Sequence, residues 1–356
     1  MGNKLFDSME IRQFRAFDFL KIDQLGHINL IIGKNNVGKS TLLEALYLHA
    51  NIGSPLAMRT ILDNRDEPYS TDYTEFEVLP LWNLFHNYPF THSIRESIQI
   101  GRFGAPDSAL TISSSWESSD DKGSGKDNDA PSFIVRYGTV RRTVALDRPF
   151  DEALRFWNLP NQMRQEEELA TPCVFVMPNG FNGDGLQSLW EQIALTDEKK
   201  DVLAALNIID PGIEDFTVIS PKEEQPHCRL RLRKNSQPIP SKVLGDGINR
   251  LIGLSMALVC SKDGIMLVDE IENGIHWSVL PDVWKFIVKV ARRLNVQVFA
   301  TTHSNDCLRA FHFGTKGDTE VQGMAVRLEK RGNEFHAETF DEQRLAVIVK
   351  EGIEIR

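Results

Sequence analysis

The sequence predicts an α/β fold with a parallel-stranded core sheet, an antiparallel β N-terminal subdomain and a mixed insertion. Three observations support this. A buried-type apolar run at 28–32 leads through a glycine-rich turn into a segment with helical spacing. The last third alternates strand-like and helix-like segments, and a long stretch of mixed pattern separates the two ends. We therefore expect one split domain: residues 1–53, an insertion at 54–240, and residues 241–356.

Short strands are predicted first, because apolar and polar residues alternate at 9–15 and an apolar run recurs at 19–22. The spacing at 40–50 predicts the first helix. In the insertion, Trp82, Phe85 and Phe90 are expected to pack a helical piece. A polar segment, about 105–132, is too poor in apolar residues to order itself, which predicts a mobile loop. The strands expected to flank that loop cover roughly 110–116 and 133–146.

The rest of the chain predicts strands and helices in alternation, which is typical of a parallel α/β sheet. The expected strands lie at 171–178, 216–220, 228–233, 264–268 and 296–301. The expected helices lie at 186–195, 198–206, 248–260, 281–294 and 305–311.

Composition limits the functional classes. The formal net charge of −10 argues against a nucleic-acid coat over the whole chain. Local basic clusters, such as Arg136 with Arg141 and Arg142, leave open either a DNA-facing surface or ordinary solvated strand faces. No uncharged apolar run approaches the roughly 18 residues of a membrane span, and the N-terminus lacks a signal core. We expect a cytoplasmic protein whose four separated cysteines are reduced.

The run Gly33-Lys-Asn-Asn-Val-Gly-Lys-Ser40 fits the phosphate-binding P-loop pattern between a strand and a helix. Glycines let backbone N–H groups curl around phosphate oxygens at the positive end of the helix. Lys39 is expected to reach the β- and γ-phosphates of ATP, and Ser40 to ligate Mg²⁺. The predicted nucleotide-binding residues are Gly33, Asn35, Asn36, Val37, Gly38, Lys39, Ser40 and Thr41.

Two more strands end in groups that suit phosphoryl chemistry. The apolar run 265–268 ends in Asp269, which can hold the magnesium shell, and Glu270, which can polarise the attacking water. The run 297–301 is followed by His303, which we expect to contact the γ-phosphate or that water. In open α/β sheets this strand end is where ligands bind.

Gly245 and Gly247 precede a predicted helix and suggest a second anion-binding helix start. Since one subunit already has such a site at its P-loop, this one is expected to cap the nucleotide of a partner subunit. The alternative is a plain glycine turn in which Asp246 is the N-cap residue.

These four elements, in this order, resemble the ABC ATPase superfamily in its soluble branch of chromosome-maintenance (SMC), RecF-like and OLD proteins. The runs 268–277 and 300–306 look most like OLD-type ATPases, and Ile11–Phe17 resembles the first strand of the branch. The resemblance implies an ABC-type P-loop ATPase with Walker A (Lys39, Ser40, Thr41), Walker B (Asp269, Glu270) and switch-histidine (His303) roles.

The resemblance further implies that the loop Asn273–His276 crosses the interface of an ATP-dependent homodimer or higher oligomer. Asp246 stands where the family signature has Ser, and is expected to point away from phosphate. The sequence does not fix the position of the glutamine-containing switch loop, and the segment near Trp82–His86 is one candidate for it. Because little chain follows His303, a Toprim nuclease is expected to be a separate polypeptide.

Three functions compete. The first is an ATPase that regulates a separate nuclease or other effector, as in anti-phage defence. The second is a RecF-like repair ATPase that binds DNA directly. The third, the nucleotide subunit of a transporter, lacks its LSGGQ signature here, and a GTPase switch lacks its NKxD motif.

Overall fold

The computed structural model describes residues 4–67, 80–87, 97–117, 130–145, 170–222, 224–235, 237–317 and 320–352. Within these ranges the chain forms three sheets, and helices cover one of them on both faces.

The central sheet has six strands in the order β15-β14-β3-β13-β12-β8, and all neighbours are parallel except the edge pair β14–β15. Strands β3, β12 and β13 are buried along their whole length, as their mainly apolar runs predict. The strands are β3 (Ile28–Ile32), β8 (Cys173–Val176), β12 (Ile265–Val268), β13 (Gln297–Thr301), β14 (Gly323–Arg331) and β15 (Glu334–Phe340).

An antiparallel sheet in the order β2-β1-β4-β5-β6-β7 packs beside the first helix. Its inner face is apolar, with Ile11, Leu20, Ile100 and Ile112 fully buried, so it faces the core on one side only. The strands are β1 (Met9–Phe14), β2 (Phe17–Ile22), β4 (Ile98–Gly101), β5 (Leu110–Glu117), β6 (Ala130–Tyr137) and β7 (Val140–Ala145).

A small third sheet contains β9 (Ile213–Ile219), β10 (His227–Leu232) and β11 (Ile239–Pro240). The helices are α1 (Lys39–Ala50), α2 (Pro55–Asp63), α3 (Gly183–Ile193), α4 (Lys199–Ile209), α5 (Asp246–Cys260), α6 (Leu280–Leu294), α7 (Asn305–Thr315) and α8 (Glu342–Glu351). Helices α1 and α2 share a core with the antiparallel sheet, whereas α3 to α8 pack on the opposite face of the central sheet.

The α/β class, the parallel core and the antiparallel N-terminal sheet are confirmed. The segment expected as one strand at 133–146 is instead a hairpin, because Gly138 adopts a positive φ of 55° and turns the chain between β6 and β7. The strand expected at about 110–116 is confirmed as β5. The bounds expected for the mobile loop, about 105–132, are too wide, because β5 begins at Leu110 and β6 at Ala130. Residues 118–129 lie outside the described ranges.

Two features of the termini complete the fold. Strand β14 was not predicted, although it pairs with β3 in the middle of the central sheet. The closing element expected at 339–356 is the end of β15 followed by α8.

All four cysteines are free, and burial raises the pKa of the Cys228 thiol to about 12, so it stays neutral. None of the helices in the described part of the chain combines the length and apolarity needed to cross a bilayer.

Candidate nucleotide-binding site

The P-loop is shaped by left-handed backbone at three positions: Gly33 has φ 149°, Asn36 φ 62° and Gly38 φ 91°. A Cβ on Gly38 would lie 2.5 Å from the Phe17 ring, and one on Gly33 would lie 2.5 Å from the Leu328 carbonyl oxygen. Both positions therefore need glycine for conformation and for space.

Helix α1 begins at Lys39 with Gly38 as its N-cap and no side-chain cap. The first N–H groups of a helix lack partners within it, so this helix start presents uncapped donors and a positive dipole end. Anions bind at such helix starts, and the strand–loop–helix context is the one that the P-loop pattern requires.

The Lys39 ammonium is held over the loop, where Nζ donates to the Gly33 carbonyl at 2.8 Å and to the Lys34 carbonyl at 2.9 Å. Burial lowers the pKa of Lys39, and the negative charges of Asp269 and Glu270 partly offset that effect. The lysine is thus positioned as a point charge beside the helix start.

Ser40 and Asp269 are 229 residues apart in sequence, yet Ser40 Oγ donates to Asp269 Oδ2 at 2.7 Å. The other carboxylate oxygen of Asp269 accepts from Thr301 Oγ1, and the side chain is buried. The described residues contain no cluster of three or more His, Cys, Asp and Glu side chains able to hold a metal alone. One hydroxyl and one carboxylate do fit Mg²⁺, which usually takes its remaining ligands from phosphates and water.

Glu270 occupies a turn directly after β12 with a positive φ of 48°, which is unusual for a non-glycine residue. Its N–H donates to Thr301 Oγ1 at 2.8 Å, and its Oε2 accepts from Asn273 Nδ2 at 2.7 Å. His303 lies close by, with Nδ1 3.7 Å from Glu270 Oε1. The ends of β12 and β13 therefore bring the two groups predicted for the water-activating step together.

Glu272 was not predicted as a site residue. Its Oε1 accepts from Thr302 Oγ1 at 2.7 Å and from the His303 N–H at 3.1 Å, which fixes the backbone that carries the histidine. The sequence signal was only a third acid two residues after Glu270, and its partners 30 and 31 residues away could not be read from spacing.

An open cleft of about 1340 Å³ joins the predicted groups. Eight predicted residues line it: Asn35, Asn36, Gly38, Lys39, Ser40, Thr41, Asp269 and Glu270. Val37 is buried beneath the loop, and Gly33 packs against the Leu328 carbonyl. Among the described residues that line this cleft, Gly245, Gly247 and His303 do not appear.

The glycine pair lies at the start of α5, on a different side of the acidic turn. Gly245 is the N-cap residue with φ 95°, and a Cβ on Gly247 would lie 3.1 Å from the Gly274 carbonyl oxygen. The alternative with Asp246 as N-cap is wrong, because Asp246 is the first helical residue and α5 has no side-chain cap.

Two walls of the cleft were missed. The segment Met177–Asn182, just after β8, lines one side, and its only sequence signal was the buried strand before it. The other side has a buried ion-pair network in which Glu44 meets Arg15 and Arg65 at 3.2 and 2.6 Å. Thr41 Oγ1 accepts from Arg65 Nη2 at 3.2 Å, which links this network to the P-loop helix.

The segment Trp82–His86 does not line the described part of the cleft, so it is not placed as the switch loop. Its aromatic rings pack elsewhere: Trp82 and Phe85 contact Phe133 at centroid distances of 4.9 and 5.3 Å. A short 3-10 helix at Pro80–Leu84 is the helical piece that Trp82 and Phe85 predicted, whereas Phe90, the third aromatic of that prediction, lies outside the described ranges.

A parallel sheet whose strand ends carry a P-loop lysine, a serine–aspartate pair and a glutamate defines a P-loop ATPase. Comparison with known proteins agrees. Residues 162–308 match a family model described as "AAA domain, putative AbiEii toxin, Type IV TA system", and residues 6–99 match one described as "AAA ATPase domain".

The chain is 22% identical over 335 residues to a Helicobacter pylori protein named ATP/GTP phosphatase, covering 85% of this chain and 86% of the relative. It is also 41% identical over 59 residues to an uncharacterized protein of Methanocaldococcus jannaschii, covering 16% and 27% of the two chains. In fold it is similar to an Smc head bound to the C-terminal winged-helix domain of ScpA, with a TM-score of 0.51 and 12% identity over 96% of this chain and 99% of that one. The two family models and the Helicobacter relative support ATP hydrolysis by this chain. The Smc head shows a similarity of fold.

Proposed function

We propose that Lys39, Ser40 and Asp269 hold the triphosphate of ATP and its Mg²⁺, and that Glu270 polarises the attacking water. The contact between Ser40 Oγ and Asp269 Oδ2 carries this proposal, because it joins the P-loop helix to the acidic strand end in one cleft. When bound, Mg²⁺ supplies charge stabilisation on the transferring phosphoryl group.

The protein groups divide the remaining work. The uncapped N–H groups at the start of α1 and the Lys39 ammonium stabilise phosphate charge. Glu270 orients and accepts a proton from water, and His303, 3.7 Å away, contacts the γ-phosphate or the same water. Asn273 holds the second oxygen of Glu270 and so restricts the direction of the carboxylate.

Glu270→Gln tests this assignment. The amide keeps the size of the side chain and removes its basicity, so ATP binding should persist while turnover falls by about 100-fold or more, the scale of general-base catalysis. Steady-state phosphate release and equilibrium ATP binding measure the two effects. Glu334→Gln, on an exposed strand of the same protein, is the matched control. Turnover at the parental rate in Glu270→Gln would remove Glu270 from the mechanism.

We further propose that two copies close over the nucleotide, each offering its Gly245–Gly247 helix start to the other. Support comes from the position of this helix start outside the cleft of its own subunit, next to the Asn273–His276 loop. Trp277 and Val243 flank these segments with 63% and 68% of their surfaces exposed. ATP should then shift the native mass of Glu270→Gln from monomer to dimer, and a mass independent of ATP would contradict closure.

The cycle of closing and opening is proposed to control a separately encoded nuclease or other effector, plausibly in anti-phage defence. The description of the matching family names a toxin of a type IV toxin–antitoxin system, which supports a partner-dependent role. The Smc head in the comparison is itself bound to another protein. Affinity purification of Glu270→Gln with its native neighbours tests the idea, and recovery of the ATPase alone under ATP would count against it.

A second candidate, direct DNA binding, is favoured by the outer face of the antiparallel sheet. The strand register places Arg12, Gln99, Thr111, Arg136 and Arg141 in one row across five strands. Its three arginines are exposed, although the chain as a whole carries a net charge of −10. Such a row can neutralise backbone phosphates.

A further inference from the structure

Arg250, in the first turns of α5, is a buried arginine with only 7% of its surface exposed. Its Nη1 donates to the Met177 carbonyl at 2.6 Å. Its Nη2 donates to the carbonyls of Asp269 and Glu270 at 2.9 and 3.0 Å. One guanidinium thus joins three segments: the start of α5, the acidic turn after β12, and the cleft wall after β8.

Strand β12 ends at Val268, and two backbone bonds continue beyond it: the Asp269 N–H donates to the Val176 carbonyl at 2.8 Å, and the Asn273 N–H donates to the Glu270 carbonyl at 3.0 Å. Arg250 adds side-chain donors to the carbonyls of both Asp269 and Glu270. Glu270 also adopts its positive φ here, a conformation that persists only where its surroundings enforce it. The planar guanidinium fork supplies donors in fixed directions, which an ammonium cannot reproduce.

We propose that Arg250 is a positioning residue for Glu270: it fixes the backbone of the acidic turn so that the carboxylate faces the attacking water. This inference rests on the proposed role of Glu270 as the water-polarising group. Arg250 touches neither nucleotide nor water in this scheme. It acts only through the two carbonyls that flank the Glu270 α-carbon.

The same residue connects Glu270 to the proposed dimer contact. Arg250 lies three residues after Gly247, and Gly247 packs so closely on Gly274 that an added Cβ would come within 3.1 Å of its carbonyl oxygen. A partner nucleotide that orders the Gly245–Gly247 helix start would therefore also order Arg250. Through its forked bonds, that order reaches the acidic turn 20 residues further along the chain.

The test compares Arg250→Lys with Arg309→Lys, an exposed substitution of the same kind on α7. Arg250→Lys keeps the charge but loses the fork, so kcat should fall by about 10- to 100-fold, the range found when groups orienting a reactive residue are removed. The dissociation constant for ATP should stay within about 3-fold, because the P-loop contacts are untouched. Turnover is expressed per bound nucleotide, which counts only folded protein, and Arg309→Lys should match the parent.

A double-substitution cycle identifies the route. If Arg250 acts through Glu270, then adding Arg250→Lys to Glu270→Gln should leave the residual single-turnover rate unchanged within about 2-fold. Multiplicative losses would overturn the proposal, as would parental kcat in Arg250→Lys or a loss confined to ATP affinity. A different result would reject the proposed function: Glu270→Gln, without any change at Arg250, would hydrolyse ATP at the parental rate.

Discussion

Replacing His49, in the helix that follows the P-loop, should make the free energy of unfolding of the protein less sensitive to acid. His49 lies in the last turn of α1, and its Nε2 is 3.1 Å from the Ser108 carbonyl, the donor role expected of a neutral ring. The ring packs edge-on against Phe6 and Tyr137. This imidazole therefore ties α1 to the N-terminal segment and to the antiparallel sheet.

Burial lowers the pKa of His49 from 6.5 to about 4. The folded protein keeps the ring neutral, whereas the unfolded chain binds a proton once the pH falls below about 6.5. The contribution of His49 to the free energy of unfolding is thus fully present above pH 6.5 and is lost as the pH falls towards 4. Since one pKa unit corresponds to about 1.4 kcal/mol, the loss from this group is about 3 kcal/mol across that window.

The assay is urea unfolding of the parent and of His49→Gln between about pH 7.5 and about pH 4.5. Glutamine keeps an N–H donor for Ser108 and does not titrate. On acidification, the parent should lose about 2–3 kcal/mol more free energy of unfolding than His49→Gln does. His336→Gln, on exposed β15, controls for the loss of an imidazole. Parallel pH curves for the parent and His49→Gln would refute the reasoning.

Two other predictions concern the site and the basic face. Gly38→Ala should abolish ATP binding, because the new Cβ would lie 2.5 Å from the Phe17 ring and φ is 91°. Adding Phe17→Leu should restore little binding, since the backbone strain remains. Full rescue by Phe17→Leu would show that the steric contact alone matters. The double substitution Arg136→Gln and Arg141→Gln should weaken binding of duplex DNA and make the slope of log affinity against log salt shallower by about 2. An unchanged slope would show that these arginines make no contact with DNA phosphates.

Sequence patterns predicted much of the central sheet, because β3, β12 and β13 are buried along their whole length and consist of mainly apolar runs. The prediction for β3 agrees to the residue, and those for β12 and β13 to within one residue at each end. Strand β14 was missed because four of its last five residues are charged, so it lacks such a run. The hairpin at Gly138 was read as one strand because the β-type pattern continues on both sides of the turn.

The candidate site was predictable where the chemistry follows a local motif. The P-loop and the acidic strand end fall into this group, and they meet in one cleft. The supporting residues were not predictable, since Arg250, Glu272 and Glu44 act through partners far away in sequence. Asp246 as N-cap was a reasonable local prediction, but the helix starts one residue earlier than the capping pattern requires.

Two buried carboxylates in the cleft, Glu44 and Asp269, differ in the groups that they contact. Glu44 is 4% exposed and faces the guanidinium groups of Arg15 and Arg65, so its charge is offset within the protein. Asp269 is 5% exposed and accepts from the hydroxyls of Ser40 and Thr301, which fix its direction. The positive charges of Lys39, Arg65 and Arg250 also act on this carboxylate. A cation that approaches the cleft therefore meets a carboxylate oriented by hydroxyls at Asp269, and one already engaged in direct ion pairs at Glu44. That difference supports the proposed position of Mg²⁺ at the serine–aspartate pair, beside the glutamate proposed to polarise water.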